Sequence, residues 1–328
     1  MKRRSFMKTA LPAGIAGIGA GSCAKKPAIS ERKKIFSFVH YSDVHIQPER
    51  GAREGFLAAI EKINSLKPDF AVSGGDLVMD VLAADESRAN VLYEMYIECC
   101  KSFDIPVYNV MGNHEVFGIT VPDIVPENHP EWGKEMFKKR LGDGRTYRSF
   151  DHKGVHFLLL DSVGIEKNEN ERGHHYIGEI GEEQMTWLKQ DLAGIPVDTP
   201  VIAVAHIPYF TWISQIQNGP TFQNARGTVL TDGKELHDLL TQYRFFGFLE
   251  GHIHINELYV YKDVKYIDTA AVSGGWWSGP RDGHPEGFNL VHVFEDGIEN
   301  EYMTYGWDAS KYAEAGEILK LDKKLFLV

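Results

Sequence analysis

Five short motifs contain the histidine, aspartate and asparagine residues of this chain whose types and spacing could support metal chemistry. Imidazole, carboxylate and amide groups bind hard or borderline metal ions, and no cysteine thiolate is needed. Together the motifs offer enough nitrogen and oxygen donors for two ions, which could clamp both ends of a phosphoryl displacement. The motifs are, in chain order, Asp43-Val44-His45, Gly75-Asp76, Gly112-Asn113-His114-Glu115, Ala205-His206 and Gly251-His252-Ile253-His254.

The spacing and the position of these motifs both favour a common site. Alternate side chains of an extended segment point to the same face, so Asp43 and His45 face one way, and so do His252 and His254. Each motif also follows an apolar run that predicts a β-strand. These runs cover residues 35–39, 70–72, 107–110, 201–205 and 245–249. Because open α/β sheets bind ligands at the carboxyl ends of their strands, we expect all five motifs to meet there.

The segments between the motifs predict a mixed α/β fold. Helical patterns over 52–66 and 86–103 alternate with the first three strands, which indicates parallel strands joined by right-handed crossovers. The second half adds helical patterns over 182–192 and 232–243. It also adds hairpins, which cover 146–161, 259–268 and 289–303. One domain with two sheets is therefore expected.

The charge of the chain restricts its partners. The formal net charge is −11 over 328 residues, so the protein has no general electrostatic affinity for nucleic acid or anionic lipid. Any phosphate group it binds needs local positive charge, which bound metal ions would supply. A small phosphorylated substrate is the partner that these properties favour.

The first 23 residues have the features of an export signal. The run Arg3-Arg4-Ser5-Phe6-Met7-Lys8 looks like the twin-arginine signal of bacteria. The apolar stretch 10–20 that follows is too short and too rich in glycine to span a membrane, so no transmembrane helix is expected. Cys23 follows small residues, as at a lipoprotein cleavage site, and is either a lipid anchor or part of a discarded peptide.

These features also predict the boundaries and the location of the protein. Residues 1–23 would be the signal, 24–34 a short linker, 35–305 the folded domain, and 306–328 a C-terminal tail packed on that domain. We expect an exported bacterial protein. It would be periplasmic, or a lipoprotein of the outer membrane or cell surface.

The ordered motifs over residues 35–294 resemble those of the calcineurin-like metallophosphoesterase superfamily. The resemblance is specific because Gly-Asn-His-Glu and Gly-His-x-His occur in one chain, in order, each after a predicted strand. It implies a two-sheet mixed β-sandwich flanked by helices, and a hydrolase that acts on phosphoric ester bonds. It also implies two divalent or trivalent metal ions, and the ligand types suit iron, manganese or zinc.

The same resemblance implies which residues would bind the metal ions. The ligands of the first ion would be Asp43, His45 and His254. The residue that bridges the two ions would be Asp76. The ligands of the second ion would be Asn113, His206 and His252.

The resemblance also implies two catalytic residues. His114 would contact the phosphate and protonate the leaving group, and Glu115 would orient His114. A hydroxide between the two ions would attack phosphorus in line.

Two aromatic segments predict substrate contacts. Aromatic rings can stack on a nucleobase or a sugar, and an arginine can pair with a second phosphate or a carboxylate. The candidates are Tyr209, Trp212, Trp276, Trp277 and Arg281. In the alternative interpretation, the two adjacent tryptophans cover the end of the core under a glycine-rich loop.

The motifs leave the substrate open. A phosphodiesterase, with cyclic nucleotides among its substrates, is favoured by the resemblance of Gly75-Asp76-Leu77-Val78 to bacterial members of the superfamily. A phosphomonoesterase that acts on nucleotide, sugar or protein phosphates is the alternative. A protein that binds metal or ligand without catalysis is a third hypothesis, which predicts the loss of a ligand or of His114.

Overall fold

The computed structural model describes residues 32–169 and 172–312, so the predicted signal of residues 1–23 lies outside the described residues. The strands in the first half are β1 (Lys34–Tyr41), β2 (Ala71–Ser73), β3 (Val107–Tyr108), β4 (Arg148–His152), β5 (Val155–Leu159), β6 (Val163–Lys167) and β7 (His174–Gly178). Those in the second half are β8 (Pro200–Val204), β9 (Arg244–Glu250), β10 (Glu257–Tyr261), β11 (Val264–Asp268), β12 (Gly287–Phe294) and β13 (Gly297–Thr304). The helices are α1 (Ala52–Leu66), α2 (Glu86–Cys100), α3 (Glu135–Arg140), α4 (Glu182–Ala193), α5 (Ile213–Asn218) and α6 (Gly233–Leu240).

Two large mixed sheets make up the centre of the fold. The first has the order β13-β12-β1-β2-β3, and the second has the order β10-β11-β9-β8-β5-β4. Strands β1, β2 and β3 run parallel to one another, as do β5, β8, β9 and β11. The hairpin strands add antiparallel pairs at the sheet edges. The predicted two-sheet α/β architecture is confirmed.

The two sheets pack face to face through apolar side chains. Phe38 on β1, Phe157 on β5 and Ile202 on β8 are fully buried in one cluster, and the Phe38 and Phe157 rings meet edge to face at 5.3 Å. Because side chains alternate along a strand, the opposite faces of the sheets are left for the helices. Helices α1 and α2 pack on the first sheet, and α4 and α6 pack on the second.

Helix α1 illustrates why these segments fold as predicted. Phe56, Ile60 and Ile63 follow the helical spacing i, i+4 and i+7, and all three are buried. Gly55 lies on the same face, and a Cβ atom there would come within 2.1 Å of the Trp277 ring. The glycine therefore makes room for the tryptophan.

Trp277 belongs to the core and not to the surface of the site. Its side chain is 1% exposed, and its indole N–H donates to the carbonyl of Val44 at 2.9 Å. Trp307, in the described part of the predicted tail, packs edge to face on it at 5.3 Å. Trp277 therefore does not contact substrate as predicted, because no face of its ring is left open. It covers the end of the core, as in the alternative interpretation.

The short helices α3 and α5 and the strands β6 and β7 were not predicted. Strand β7 begins at His174 and His175 and pairs with β6 in a separate two-stranded ribbon. The N–H of His174 also donates to the carbonyl of Ile119, 2.8 Å away. The ribbon is stabilised by contacts with distant parts of the chain. The short sequence of each strand therefore did not predict it.

No helix within residues 32–169 and 172–312 combines the length and the apolar content that a bilayer span requires.

The buried position of Trp277 predicts a large contribution to stability. Trp277→Ala should lower the free energy of unfolding by about 3–5 kcal/mol, because it leaves a cavity under α1 and two carbonyl groups without their donor. Chemical denaturation followed by circular dichroism measures this change. The control is Trp212→Ala, at a side chain that is 52% exposed and should cost no more than about 0.5 kcal/mol. Equal losses in both variants would contradict the core assignment.

Candidate dimetal site

The predicted metal ligands meet at the carboxyl ends of the parallel strands. Several of them have left-handed backbone conformations, with φ of 57° at Asp43, 46° at His45, 51° at Asp76, 74° at His252 and 59° at His254. Such angles are uncommon outside glycine, and they concentrate at functional sites that the surrounding structure holds in place. Backbone hydrogen bonds fix the turns here, from Asp43 N–H to the carbonyl of Gly75 and from His45 N–H to that of Asp76, both at 3.0 Å.

One cluster contains the three residues assigned to the first ion. Ligand atoms of Asp43, His45 and His254 all lie within 4.8 Å of one another. His254 Nε2 is 3.0 Å from His45 Nε2 and 3.3 Å from Asp43 Oδ1. All three side chains are buried, so water does not compete freely for these atoms.

A second cluster contains the residues assigned to the second ion. Ligand atoms of Asp76, His206 and His252 also lie within 4.8 Å of one another. His206 Nε2 is 3.1 Å from Asp76 Oδ2 and 3.1 Å from the side-chain oxygen of Asn113. Asp76 Oδ2 is also 3.7 Å from His45 Nε2 in the first cluster. Asp76 therefore stands between the two clusters.

Glycine carbonyls fix the orientation of three of these histidines. His206 Nδ1–H donates to the carbonyl of Gly74 at 2.7 Å, and His254 Nδ1–H donates to that of Gly274 at 2.6 Å. His252 Nε2–H donates to the carbonyl of Gly227 at 3.0 Å. A ring whose one nitrogen carries the proton presents the other as a metal ligand. Gly74 directly precedes the Gly75-Asp76 motif, whereas Gly227 and Gly274 lie outside the five motifs.

Glu115 supports the backbone and does not orient His114 as expected. Its carboxylate accepts four backbone hydrogen bonds of 2.7–3.0 Å, from Asp76, Leu77, Val78 and Gly112. The aspartate turn is thereby tied to the asparagine motif. A carboxylate that accepts four N–H groups has no lone pair directed at a histidine ring.

The backbone orients His114 instead. The N–H of Asp80 donates to His114 Nδ1 at 3.0 Å, so the neutral ring carries its proton on Nε2. That nitrogen lies 3.8 Å from Asp76 Oδ2. His114 is therefore oriented as a hydrogen-bond donor beside the shared carboxylate.

The electrostatics of the site suit bound cations. Burial and neighbouring histidines lower the pKa of His45 to about 3 and that of His252 to about 4, so both rings are neutral and able to bind metal. Burial opposes ionisation of Asp43 and Asp76, yet the histidines around them hold both pKa values below the usual range. Burial also opposes a charge on His206, but Asp76 raises its pKa to about 9. The carboxylates thus draw positive charge into the site.

An unsatisfied buried atom agrees with this interpretation. Within the described part of the chain, Asp43 Oδ1, which faces His254 Nε2 at 3.3 Å, is buried without a hydrogen-bond partner. An unpaired buried polar atom is costly unless a ligand completes its environment. Because the donor set consists of imidazole, carboxylate and amide groups, the residues present fit two metal ions of the iron, manganese or zinc type.

The remaining predicted substrate residues divide into two groups. Trp276 lies beside the first cluster, with its ring centroid 4.5 Å from that of His254, and the Arg281 guanidinium lies 5.3 Å from the Trp276 ring. Tyr209 instead stacks on Tyr266 at 5.2 Å in the cluster under α4 and α6. Trp212 is exposed and packs edge to face on the neighbouring ring of Phe210.

The two clusters predict separable metal losses. His206→Ala should remove the second ion and keep the first, whereas Asp76→Asn should weaken both, because the Asp76 carboxylate faces both clusters. Metal content after dialysis, measured by plasma mass spectrometry, tests this difference. The control is His156→Ala, a buried histidine whose nitrogens lie 2.7 and 2.8 Å from Asp151 and Asp191. If His206→Ala released both ions, the two-cluster description would be wrong.

Comparison with known proteins places this geometry in a family. The sequence profile of the calcineurin-like phosphoesterases matches residues 36–256. A probable cyclic nucleotide phosphodiesterase of Rhodococcus erythropolis is 29% identical, covering 84% of this chain and 85% of that protein. The serine/threonine-protein phosphatase CPPED1 of Bos taurus is 26% identical, covering 76% of this chain and 72% of that protein.

A solved structure shows the same fold. A dimetal phosphatase from Danio rerio aligns with a TM-score of 0.57 at 16% identity, covering 84% of this chain and all of the other. At that identity the likeness concerns the fold alone. The sequence profile covers well over half of the chain, and the resemblance seen in the motifs is confirmed. The chain belongs to the calcineurin-like phosphoesterase family, whose members bind two metal ions, and it is a hydrolase of phosphoric ester bonds.

Proposed function

We propose that this protein is a phosphodiesterase of small molecules, with cyclic nucleotides as its candidate substrates. The observation that carries the proposal is the meeting of both ligand clusters at Asp76, with His114 Nε2 beside them. The choice of a diester is supported by two relatives. Besides the Rhodococcus protein, a cAMP/cGMP dual specificity phosphodiesterase of Mycobacterium tuberculosis is 25% identical and covers 83% of this chain and 80% of that protein.

Each ligand residue would bind one of the two metal ions or lie between them. Asp43, His45 and His254 would hold one ion, and Asn113, His206 and His252 the other, with Asp76 between them. When bound, two such ions supply positive charge that stabilises the phosphoryl transition state and lower the pKa of water. The chain itself contributes rigid positioning, because its turns and ligand rings are fixed by backbone hydrogen bonds before the substrate arrives.

His114 is the proton donor of this proposal. Its Nδ1 accepts the N–H of Asp80, so the proton available for transfer is on Nε2, at the edge of the site. In hydrolysis of an ester, the departing oxygen takes up a proton as its bond to phosphorus breaks. General acid catalysis of this kind contributes about 10²–10⁴-fold to a rate.

The second candidate function is phosphomonoester hydrolysis. It is favoured by the name of the Bos taurus relative, a serine/threonine-protein phosphatase, which matches three quarters of this chain. Both reactions use the same metal ligands, so the residues outside the two clusters have to decide between them. Trp276 and Arg281 are the proposed contacts to the part of the substrate beyond the reacting phosphate.

Hydrolysis of a diester against its matching monoester tests the proposal. The protein is stripped of metal and resupplied with manganese, iron or zinc, and kcat/KM is measured for both aryl esters and for cyclic AMP. We expect activity that depends on added metal and a higher kcat/KM for the diesters. A preference for the monoester would favour the phosphatase alternative, and no turnover with any metal would contradict the proposed catalysis.

A matched pair of variants tests the role of His114. His114→Asn should lower kcat by about 10²–10⁴-fold for an alkyl ester and by less for an aryl ester, because an aryl oxide departs without a proton. His156→Asn changes a histidine away from the site and should leave kcat unchanged. An equal loss for both kinds of ester would argue against proton donation.

We further propose that residues 1–23 direct export, on the basis of the twin-arginine pattern alone. Replacement of Arg3 and Arg4 by lysine should retain the protein in the cytoplasm of a bacterial host. Cys23→Ser should release it from the membrane fraction if Cys23 carries a lipid. Cell fractionation with immunoblotting measures both changes, and export of the double lysine variant would contradict the proposal.

A further inference from the structure

Tyr176 projects from the unpredicted β6–β7 ribbon toward the second metal cluster. It lies in the middle of β7, paired with Ile165 of β6. Its ring stands perpendicular to the ring of His252, with 6.1 Å between the centroids. The tyrosine therefore borders the half of the site that is opposite Trp276, whose ring lies against His254.

The contacts around Tyr176 hold its ring in a fixed place. Gly178 N–H donates to the carbonyl of Arg226 at 2.7 Å, which ties the end of β7 to the adjacent loop. In that loop, a Cβ atom on Gly227 would come within 3.2 Å of the Tyr176 ring. The carbonyl of the same glycine accepts a hydrogen bond from His252 Nε2–H. Tyr176, Gly227 and His252 therefore form one packed unit.

Tyr176 lies nearer the surface than the core tyrosines, whose hydroxyls are hydrogen-bonded within the protein. Those of Tyr41 and Tyr96 are hydrogen-bonded to each other at 2.8 Å, and that of Tyr93 donates to the carbonyl of Glu115. Tyr176 is only half-buried, at the border of the site. A phenol hydroxyl carries its proton at neutral pH, so it can donate a hydrogen bond.

We propose that Tyr176 contacts the substrate and donates a hydrogen bond from its hydroxyl to a non-bridging oxygen of the phosphoryl group. The inference rests on the proposed function. It adds to that function a substrate-binding residue that lies outside the five sequence motifs. A phosphoryl group brings anionic oxygens to a position beside His252. A neutral donor held there recognises those oxygens without adding a charge that would compete with the metal ions.

Tyr176→Phe tests the hydrogen bond and keeps the ring. We expect kcat/KM to fall by about 10- to 100-fold, the factor expected for a hydrogen bond to a charged oxygen. The loss should be the same for a diester and a monoester, because both carry the phosphoryl oxygens. A loss for the diester alone would overturn the proposed contact, and so would activity equal to that of the parent protein.

Binding of inorganic phosphate gives a second measurement that does not need turnover. Calorimetry on the metal-loaded full chain should show a Kd for phosphate weakened by about 10- to 100-fold in Tyr176→Phe. Metal content and melting temperature should be unchanged. If the variant lost metal instead, Tyr176 would be a support of His252, and the proposal would be overturned.

The controls separate this inference from the proposed function. Tyr147→Phe alters another half-buried tyrosine, which packs on Trp187 of α4, and should change neither hydrolysis nor phosphate binding. Tyr176→Leu also lacks the donor and should behave like Tyr176→Phe, which keeps the test valid if one variant fails to fold. A parent protein that binds phosphate through Tyr176 but hydrolyses neither ester would contradict the function and support the contact. A metal-loaded parent that hydrolyses the esters but loses neither activity nor phosphate affinity in Tyr176→Phe would support the function and contradict the contact.

Discussion

The Asp76 carboxylate is the interaction on which the rest of the site depends. One oxygen lies between the two histidine clusters, 3.1 Å from His206 Nε2 and 3.7 Å from His45 Nε2, and the other accepts the N–H of His114 at 2.9 Å. This position is possible because Gly112 has no side chain, since a Cβ atom there would come within 2.2 Å of the carboxylate. A single buried charge thus lies between the two halves of the candidate metal site, and it also places His114, the proposed proton donor.

Holding the Asp76 carboxylate in place requires strained backbone turns, and the surrounding architecture stabilises them. Asp76 and four of the predicted ligands adopt left-handed backbone angles, which are unfavourable for residues with side chains. The Glu115 carboxylate offsets part of this cost, because it accepts backbone hydrogen bonds from Asp76, the two residues after it and Gly112. The packed sheets below provide the rigid frame that keeps these turns in place. Stability of the core and geometry of the site are therefore linked through a few strand-end turns.

Different elements flank the two metal clusters. On the first side, Trp276 covers His254 and carries the Arg281 guanidinium over its ring. On the second side, the β6–β7 ribbon brings Tyr176 against His252. Neither element contributes a proposed metal ligand. In a family that shares its metal ligands, such flanking side chains are the parts of the structure that can differ with the substrate.

Much of the site was determined by the sequence, because its ligands belong to short motifs that directly follow apolar strands. Parallel strands place their carboxyl ends at one edge, so the order of strands and motifs was enough to predict that the ligand side chains meet. The tertiary structure alone decided which groups orient them. Asp80 orients His114 and Gly227 orients His252 through backbone contacts between distant segments, which leave no pattern along the chain. Packing of the β6–β7 ribbon likewise places Tyr176 beside His252. The sequence also could not separate the two adjacent tryptophans. Trp276 faces the site, whereas Trp277 fills the core because Gly55 of α1 leaves room for its ring.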